Sequence, residues 1–334
     1  MEAVGLYSYL DGPARDPHQL ALMATARSLG IETVDQSHLG VDAVDYCHGG
    51  RVERVLMGQA FSHLTGIASI FCDDKLACKS LLAAHDVPVP RGIAPSGPED
   101  PAIAVLLAEG GNWVVKPRVG EHGKGVVVGL RSLDAVQKAM REGPPGPYLV
   151  EAQVAGEDLR LQAVGGRLVA ACRRVPASIT GDGQQPVRAL IEARREVVRR
   201  ANPANDLRID GEVMAHLEAA GLTLDDIVPA GREVVLRGVA NMSSGARAID
   251  VTDELHADWI DLMQCIGEMI GIRVFSVDAV TADASRPPAF GAVLEVNARP
   301  DWLHHTFSER RQHDIPRLLL EDLFGLDGSG EVGL

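Results

Sequence analysis

The chain has 334 residues, of which 46% are hydrophobic and 23% charged, a balance typical of a globular protein with substantial cores. Its formal net charge of −14 disfavours a general nucleic-acid or anionic-membrane surface, and 4% aromatic residues are too few for a platform that stacks single-stranded bases. The sequence has no apolar run of ~20 residues and no signal-peptide pattern, and its five cysteines are scattered without a CxxC pair. We therefore expect a cytoplasmic protein with no nucleic-acid or membrane partner.

Residues 1–70 are predicted to form a small α/β domain. No glycine-rich phosphate loop occurs in this part, so no chemistry is assigned to it. The predicted elements are a strand at Val4–Tyr9, a helix at Pro17–Leu29 that ends at Gly30, and strands at Ile31–Val34 and Thr65–Phe71.

The next stretch, residues 73–90, reads DDKLACKSLLAAHDVPVP and predicts a helix capped by Asp73 or Asp74. Lys75 falls in its first turn, where the helix dipole disfavours a cation. This misfit indicates that Lys75 has a partner elsewhere in the fold. A solvated lysine explains the same pattern equally well.

Residues 112–130, NWVVKPRVGEHGKGVVVGL, predict two strands, Trp113–Lys116 and Val126–Leu130, joined by a glycine-rich loop. Glycines let backbone N–H groups turn toward a phosphate, and lysines at the strand end and in the loop supply positive charge. The spacing matches neither a Walker A loop nor GxGxxG. A mobile phosphate-covering loop is one interpretation, and a hairpin turn with surface lysines is the other. The residues concerned are Gly120, Gly123, Gly125, Lys116 and Lys124.

After a predicted helix at 133–142 and a GPPGP linker, the strand Tyr148–Val154 carries Glu151. A hairpin follows, with its turn at Gly165-Gly166 between Leu159–Val164 and Arg167–Cys172. Glu151 and Asp158 could bind an adenine amine and a ribose hydroxyl. A strand-edge acid and a turn acid would look the same.

Further along the chain the pattern alternates between amphipathic helices and short strands. The predicted elements are helices at Val187–Arg200 and Glu212–Ala220, a strand at Glu233–Arg237, a helix at Leu255–Ile270 capped by Thr252 or Asp253 with Leu262, Ile266, Met269 and Ile270 in the core, a closing helix at Pro316–Phe324, and a disordered tail at 326–334.

The most informative stretch is a hairpin of two apolar strands, Val274–Thr281 and Gly291–Ala298. Glu295 and Asn297 are two residues apart and so share one face, and if Thr281 pairs with Ala292, Asp278 lies opposite Glu295 on that face. Carboxylate and amide oxygens suit Mg²⁺, which would relieve the repulsion between like charges. The alternatives are a solvated face or neutralisation by Arg299 and Arg273.

Seven motifs in order resemble the ATP-grasp ligases, above all the ATP-grasp domain of cyanophycin synthetase and of bifunctional glutathione synthases. They are DDKLACKSLL, VVKPRVGEHGKGV, VEAQVAGEDLRL, GDG with VRALI, VLRGVANMSSGARAIDVTDELH, FSVDAVT and LEVNARP. The resemblance as a whole covers roughly residues 65–325. The resemblance implies an α/β (α+β) ATP-grasp fold, with two α+β subdomains that grip ATP after the small N-terminal piece. The domains expected are 1–70, 71–325 with a lid at about 110–155, and the tail.

The resemblance also implies roles for individual residues. Lys75 and Lys116 correspond to phosphate-binding lysines, the 120–125 segment to the lid over the triphosphate, and Arg237 to the arginine at the transferred phosphoryl group. The implied ATP-binding residues are Lys75, Lys116, His122, Gly123, Lys124, Gly125, Glu151, Ala152, Val154 and Asp158. The implied substrate residues are Arg160, Asn241, Ser243, Arg299 and His305; the implied catalytic residues are Lys116, Arg237 and Arg299; the implied Mg²⁺ ligands are Asp278, Glu295 and Asn297.

The reaction implied is ATP-dependent amide formation between amino acids or short peptides through an acyl phosphate. The resemblance also implies two Mg²⁺ ions, for which Mn²⁺ can substitute, and an enzyme that can be a homo-oligomer. The alternatives are a ligase that adds amino acids to a protein or peptide tail and a non-catalytic ATP-binding module. No obvious general base is present; Glu121, His122 and His305 are the candidates. Two departures from the family pattern, Glu121 in the loop and Arg299-Pro300-Asp301 after EVNA, prevent transfer of the substrate identity.

Overall fold

The computed structural model describes residues 15–120, 123–202 and 205–326. No helix in these ranges is long and apolar enough to cross a lipid bilayer. The helices are α1 (Pro17–Ser28), α2 (Gly66–Asp73), α3 (Lys75–Ala84), α4 (Pro101–Leu107), α5 (Leu133–Glu142), α6 (Val187–Ala201), α7 (Gly211–Ala219), α8 (Asp258–Ile270) and α9 (Ile315–Phe324).

The strands are mostly short and pair in antiparallel fashion. They are β1 (Glu32–Asp35), β2 (Ala43–His48), β3 (Arg51–Leu56), β4 (Ala60–Phe61), β5 (Gly92–Ile93), β6 (Trp113–Pro117), β7 (Val127–Leu130), β8 (Tyr148–Ala152), β9 (Glu157–Val164), β10 (Arg167–Val175), β11 (Ser178–Thr180), β12 (Glu233–Val235), β13 (Arg247–Asp250), β14 (Phe275–Thr281) and β15 (Gly291–Asn297).

The described residues fall into two compact units, each built from separate stretches of chain. The first unit contains residues 15–63, 169–252 and 299–326, and the second unit contains residues 64–168 and 253–298. The division predicted at residue 70 stays a prediction.

The first unit contains a four-stranded antiparallel sheet, β1-β2-β3-β4, and helix α1, which packs against α9. Helix α1 begins where the Asp16 carboxylate accepts a hydrogen bond from the His18 N–H, with Pro17 at the first helical position. Strands β10 and β13 pair with each other, as do β11 and β12. A separate apolar core lies among α6, α7, β11 and β12, and it includes Ile191, Leu217 and Val234.

The second unit contains two sheets. One has the order β5-β8-β6-β7, and α4 and α5 contribute to its core around Trp113 and Val150. In the other, β14 lies between β9 and β15 and is antiparallel to both. Helix α8 packs on β14 through Gly267, where an added Cβ would lie 3.0 Å from the Phe275 ring. Because β14 is central, polar side chains on it are held rigidly.

Most predicted elements are confirmed, including the helix at 133–142 with the predicted bounds. The first helix begins at Pro17 as predicted and ends at Ser28, with Leu29 as its C-cap and Gly30 following at φ +71°. The strand predicted at Thr65–Phe71 is wrong, because these residues begin α2. The Thr65 hydroxyl accepts a hydrogen bond from the Ala68 N–H at 3.1 Å and caps the helix. The strand predicted at Val4–Tyr9 and most of the predicted tail lie outside the described residues.

The start predicted for the helix at Leu255 is also wrong, because α8 begins at Asp258 without a side-chain cap. The Thr252 hydroxyl is used elsewhere: it accepts a hydrogen bond from the Ala171 N–H at 2.9 Å. The buried residues of α8 are Trp259, Met263, Ile266, Gly267 and Ile270. Two of the four predicted core residues, Ile266 and Ile270, are therefore buried, and the other two, Leu262 and Met269, are half-buried. Strand β12 is shorter than predicted, and Arg237 follows it.

Candidate active site

Two carboxylates face each other on neighbouring strands of the second unit. Asp278 on β14 lies directly opposite Glu295 on β15, as predicted. The pairing of Thr281 with Ala292, from which that prediction was made, is wrong: Thr281 faces Gly291. A β-bulge beside Asp278 absorbs the difference of one residue and brings Glu295 into line.

Arg160 and Asn297 complete a polar group with these two carboxylates. Arg160 on β9 lies opposite Asp278, and its Nη1 donates to Asp278 Oδ1 at 2.7 Å. The Asn297 amide satisfies both neighbours when its oxygen accepts from Arg160 Nη1 at 3.1 Å and its nitrogen donates to Glu295 Oε1 at 3.2 Å. The predicted metal ligands and one predicted substrate residue therefore share one face of the sheet.

The electrostatics of this group fit a divalent cation. Burial raises the pKa of Glu295, and Asp278 raises it further, although Lys75 opposes the change with its Nζ 3.4 Å from Glu295 Oε1. The surrounding cations thus do not fully offset the burial of this carboxyl group. Two carboxylates and an amide oxygen are a ligand set that Mg²⁺ prefers.

A second buried cluster joins β6, β8 and α3. Lys116 Nζ lies 2.6 Å from one oxygen of Glu151, and Lys79 Nζ lies 3.2 Å from the other. None of the three residues is more than 8% exposed. Burial lowers the pKa of Lys79 to about 8, and the neighbouring Lys116 adds to the effect. Glu151 is therefore the counter-charge that holds two lysine ammonium groups in place.

Lys79 is absent from the residues predicted from the sequence. It lies four positions after Lys75 in α3, so the two lysines share one helix face. Two buried lysines on an otherwise apolar face are unusual, because lysine is almost never buried without a partner. The four-residue spacing of Lys75 and Lys79 was the feature of the sequence that could have identified Lys79.

A glycine on the neighbouring strand makes room for Glu151. Gly92 on β5 lies opposite Glu151 on β8. A Cβ at this position would lie 2.5 Å from the Val150 carbonyl oxygen and 2.7 Å from Glu151 Cγ. Any larger residue at position 92 would displace the carboxylate that pairs with Lys116 and Lys79.

The start of the glycine-rich loop is fastened to the start of α3. Lys75 Nζ donates to the Gly120 carbonyl at 2.6 Å, and Arg118 binds the Asp74 carboxylate through two nitrogens at 2.6–3.0 Å. Asp74 also caps α3 by accepting from the N–H groups of its first turn. Lys75 therefore has a partner in the fold, as its position in the first turn indicated.

Beyond Gly120 the loop turns through two left-handed glycines. Gly123 has φ +69° and Gly125 has φ +76°, a conformation that residues with a Cβ rarely adopt. Lys124 between them is exposed. His122 and Glu121 lie outside the described residues, so their predicted roles stay predictions.

The residues predicted to bind adenine and ribose lie at the end of β8 and the start of β9. The Ala152 N–H donates to the Arg91 carbonyl at 2.8 Å, and Val154 follows the end of the strand. Asp158 is half-buried on β9. Gly156, with φ +147°, packs so closely against the Thr281 carbonyl that a Cβ would overlap it. The turn that precedes Asp158 thus requires glycine.

The other predicted residues lie in the first unit. Arg237 is buried, and it donates to Glu212 and Asp210, each at 2.7 Å. The Asn241 side-chain oxygen accepts from the Ser243 N–H and hydroxyl at 3.1 and 2.9 Å. Arg299 is half-buried, and His305 is fully buried with its ring 4.5 Å from that of His304. The structure thus groups the predicted ATP and metal residues in one unit and most predicted substrate residues in the other.

Comparison with known proteins identifies relatives over most of the chain, although no family model matches it. Cyanophycin synthetase of Trichormus variabilis is 33% identical over an alignment of 295 residues that covers 85% of this chain and 33% of that protein. The bifunctional glutathione biosynthesis protein of Mannheimia succiniciproducens is 27% identical over an alignment of 315 residues that covers 90% of this chain and 41% of that protein. The chain therefore spans only about a third to two fifths of the length of these curated relatives.

The fold comparison agrees with the sequence comparison. The crystal structure of a bifunctional glutathione synthetase from Pasteurella multocida matches 93% of this chain and 44% of its own chain, with a TM-score of 0.72 at 24% identity. These relatives are the two groups that the ordered motifs resemble, and the predicted α/β (α+β) fold class is confirmed. The chain has the ATP-grasp fold, and over most of its own length it is a homologue of cyanophycin synthetase and of the bifunctional glutathione synthases.

Proposed function

We propose that the protein is an ATP-dependent carboxylate–amine ligase that forms an amide bond between amino acids or short peptides. One observation supports this above the others: the second unit combines the oxygen ligands of a Mg²⁺ site with several buried or anchored cations. The acidic group is Asp278, Glu295 and Asn297, and the cations are Lys75, Lys79, Lys116 and Arg160. A site that binds a polyphosphate and its metal ion requires this mixture of charges.

Lys75 and Lys116 would bind the phosphates of ATP, with the 120–125 segment covering them. Lys116 lies at the end of a rigid strand and is held by Glu151, so its ammonium is positioned before ATP arrives. We assign Glu151 to this positioning role rather than to contact with adenine, because both of its oxygens face lysines. Asp158 remains the proposed partner of the ribose.

Asp278, Glu295 and Asn297 would hold Mg²⁺, and Mn²⁺ would use the same oxygen ligands. Bound there, one or two ions would offset phosphate charge and so assist attack on the γ-phosphate. With Asp278 and Glu295 engaged as ligands, Arg160 and Lys75 would exchange these carboxylates for anionic groups of the substrates. Asp278, Glu295 and Asn297 are half-buried, so this face of the sheet is open enough for the bound groups to reach them.

The reaction would proceed in two balanced steps. An oxygen of the substrate carboxylate attacks the γ-phosphorus, the bond to the β-phosphate oxygen breaks, and ADP leaves. A neutral amine then attacks the acyl carbon of the acyl phosphate, the bond from that carbon to the phosphate oxygen breaks, and the nitrogen gives a proton to the departing phosphate. By the family resemblance, Arg237 and Arg299 would stabilise the developing negative charge, with Asn241 and Ser243 as contacts for the substrate.

The proposal also covers the class of substrate and the cellular compartment. The substrates would be small molecules that carry carboxylate and amine groups. Reduced cysteines fit the cytoplasm, since none of the five forms a disulfide in the structure.

The test is ADP release by the purified protein with Mg-ATP across pools of amino acids and dipeptides, followed by mass spectrometry of the products. We expect one pool to trigger ADP release and to yield a product one water lighter than its two parts. The Glu295→Gln protein serves as the inactive control. ATP binding without turnover in any pool, including pools of longer peptides, would refute the ligase assignment and favour a nucleotide-binding module.

A further inference from the structure

Three soft or borderline metal-binding side chains meet in the interior of the first unit. Cys172 lies on β10, and His304 and His305 are consecutive residues of a short turn at Leu303–Thr306. Their exposures are 0%, 2% and 0%. The three potential ligand atoms, one per residue, all lie within 4.8 Å of one another. The fold brings them together across more than 130 residues of sequence.

The cysteine of this cluster lies in apolar surroundings. Cys172 belongs to a buried group with Met242, Ala246 and Ala248. A thiolate and neutral imidazole nitrogens are preferred ligands of Zn²⁺. We propose that Cys172, His304 and His305 form a buried binding site for Zn²⁺.

A carboxylate behind one of the rings supports this assignment. His304 Nδ1 lies 3.6 Å from Asp301 Oδ1, and the same Asp301 oxygen lies 2.9 Å from His18 Nε2. His18 is itself fixed on its other side, with Nδ1 2.6 Å from Asp16. In zinc sites a carboxylate commonly orients a ligating imidazole from outside the coordination sphere. Asp301 is therefore placed to orient the His304 ring from outside the coordination sphere of the proposed ion.

The proton balance of binding is simple. Zn²⁺ displaces the proton of the Cys172 thiol, and both imidazoles bind in their neutral forms, so one proton is released for each ion bound at neutral pH. Three protein ligands leave a fourth coordination position for water. The site is distinct from the proposed Mg²⁺ ligands, which are oxygens of the second unit, and it does not depend on the proposed ligase activity.

The experiment uses the full-length protein with no histidine tag, freed of metal by a chelator. Zn²⁺ binding is measured in competition with a chromophoric chelator, and Co²⁺ is used as the optical probe. We expect one Zn²⁺ per chain and, with Co²⁺, a thiolate-to-cobalt charge-transfer band. Asp301→Asn should weaken Zn²⁺ binding about 10–100-fold, the range for loss of a carboxylate behind a ligand, and Cys172→Ala should weaken it further.

The matched control is Cys265→Ser, which removes an exposed thiol of α8 and should leave both signals unchanged. Equal Zn²⁺ affinity in the wild-type protein and Cys172→Ala would overturn the proposal, as would Co²⁺ binding without the charge-transfer band or no stoichiometric binding. If Cys172→Ala does not fold, the Co²⁺ spectrum of the wild-type protein decides the question alone.

Discussion

Lys79 provides the sharpest test of the buried charge cluster, because its pKa is displaced far from the ordinary lysine value. The perturbation is Lys79→Met, which keeps most of the side-chain volume and removes the charge. In the wild-type protein the Lys79 ammonium is buried beside Lys116 and only partly compensated by Glu151. Folding therefore opposes protonation of Lys79, and this cost must show in how stability depends on pH.

The size of this free-energy cost follows from the change in the pKa of Lys79. The pKa of Lys79 falls from 10.5 to about 8 on folding. Each unit corresponds to 1.36 kcal/mol, so the full cost is roughly 3 kcal/mol. Below pH 8 both states are protonated and the folded state bears the whole cost. As the pH rises from about 8 toward 10.5, the folded state loses the proton first, so stability is regained.

The assay is urea unfolding followed by circular dichroism, at pH 7.5 and pH 10. Between these values the free energy of unfolding of the wild-type protein should rise by roughly 2–3 kcal/mol relative to that of Lys79→Met. Groups that titrate in the same range, such as Cys78 and His18, are present in both proteins and largely cancel in the difference. Lys138→Met, at an exposed lysine of α5, should instead parallel the wild type. Parallel curves for the wild type and Lys79→Met would refute the reasoning.

Three further predictions concern the proposed site. Glu295→Gln should lower Mg²⁺-dependent ADP release at least about 100-fold, since a metal ligand contributes several kcal/mol of charge stabilisation; Glu268→Gln, at an exposed position of α8, should not. Lys116→Met should weaken ATP binding about 10–100-fold in calorimetry, the value of a charge-assisted contact of ~1.5–3 kcal/mol. Gly92→Ala should lower the free energy of unfolding, measured in urea, by about 1–3 kcal/mol, because the added methyl group overpacks against β8. Gly97→Ala is the control: the space around its Cβ position is open, so its free energy of unfolding should stay within about 0.5 kcal/mol of the wild type.

Each of these has a contradicting result. Unchanged turnover in Glu295→Gln would remove the metal assignment from that carboxylate. Unaltered ATP affinity in Lys116→Met would show that the ammonium serves only to balance Glu151. Equal stability of the two glycine variants would mean that β5 can shift away from β8 without cost.

Local patterns predicted the elements well where the chain's periodicity was strong, as at 133–142, and failed where local and tertiary signals disagree. The residues after Thr65 include two isoleucines, which favour a strand, yet Ile67 and Ile70 are exposed on α2 and the capping hydroxyl decides the conformation. The bulge beside Asp278 was invisible in sequence, because two-residue alternation does not reveal an extra residue in one strand. Asp278 was placed opposite Glu295 from a register that holds on only one side of the bulge.

The same contrast between local patterns and tertiary contacts applies to the candidate site. The proximity of Asp278, Glu295 and Asn297, which we propose to bind Mg²⁺, could be predicted because the three residues lie on one hairpin. Lys116 was singled out because its motif resembles a known family. Lys79, and the roles of Gly92 and Glu151 around it, depend on contacts among three separate elements that no local pattern specifies. The cluster around Cys172 depends on a turn that follows it by more than 130 residues, so spacing rules for metal sites could not detect it.

The split of the second unit into residues 64–168 and 253–298 has a consequence for how the protein is made. Arg160 and Asp278 are separated by 118 residues of chain, and the intervening residues 169–252 belong to the first unit. During synthesis, the edge of β9 that pairs with β14 must therefore stay unpaired until β14 has left the ribosome. Such late, long-range strand pairing is slow and exposes nascent chains to aggregation. Yield in a heterologous host should thus depend on translation speed and chaperone supply more than on the equilibrium stability of the finished fold.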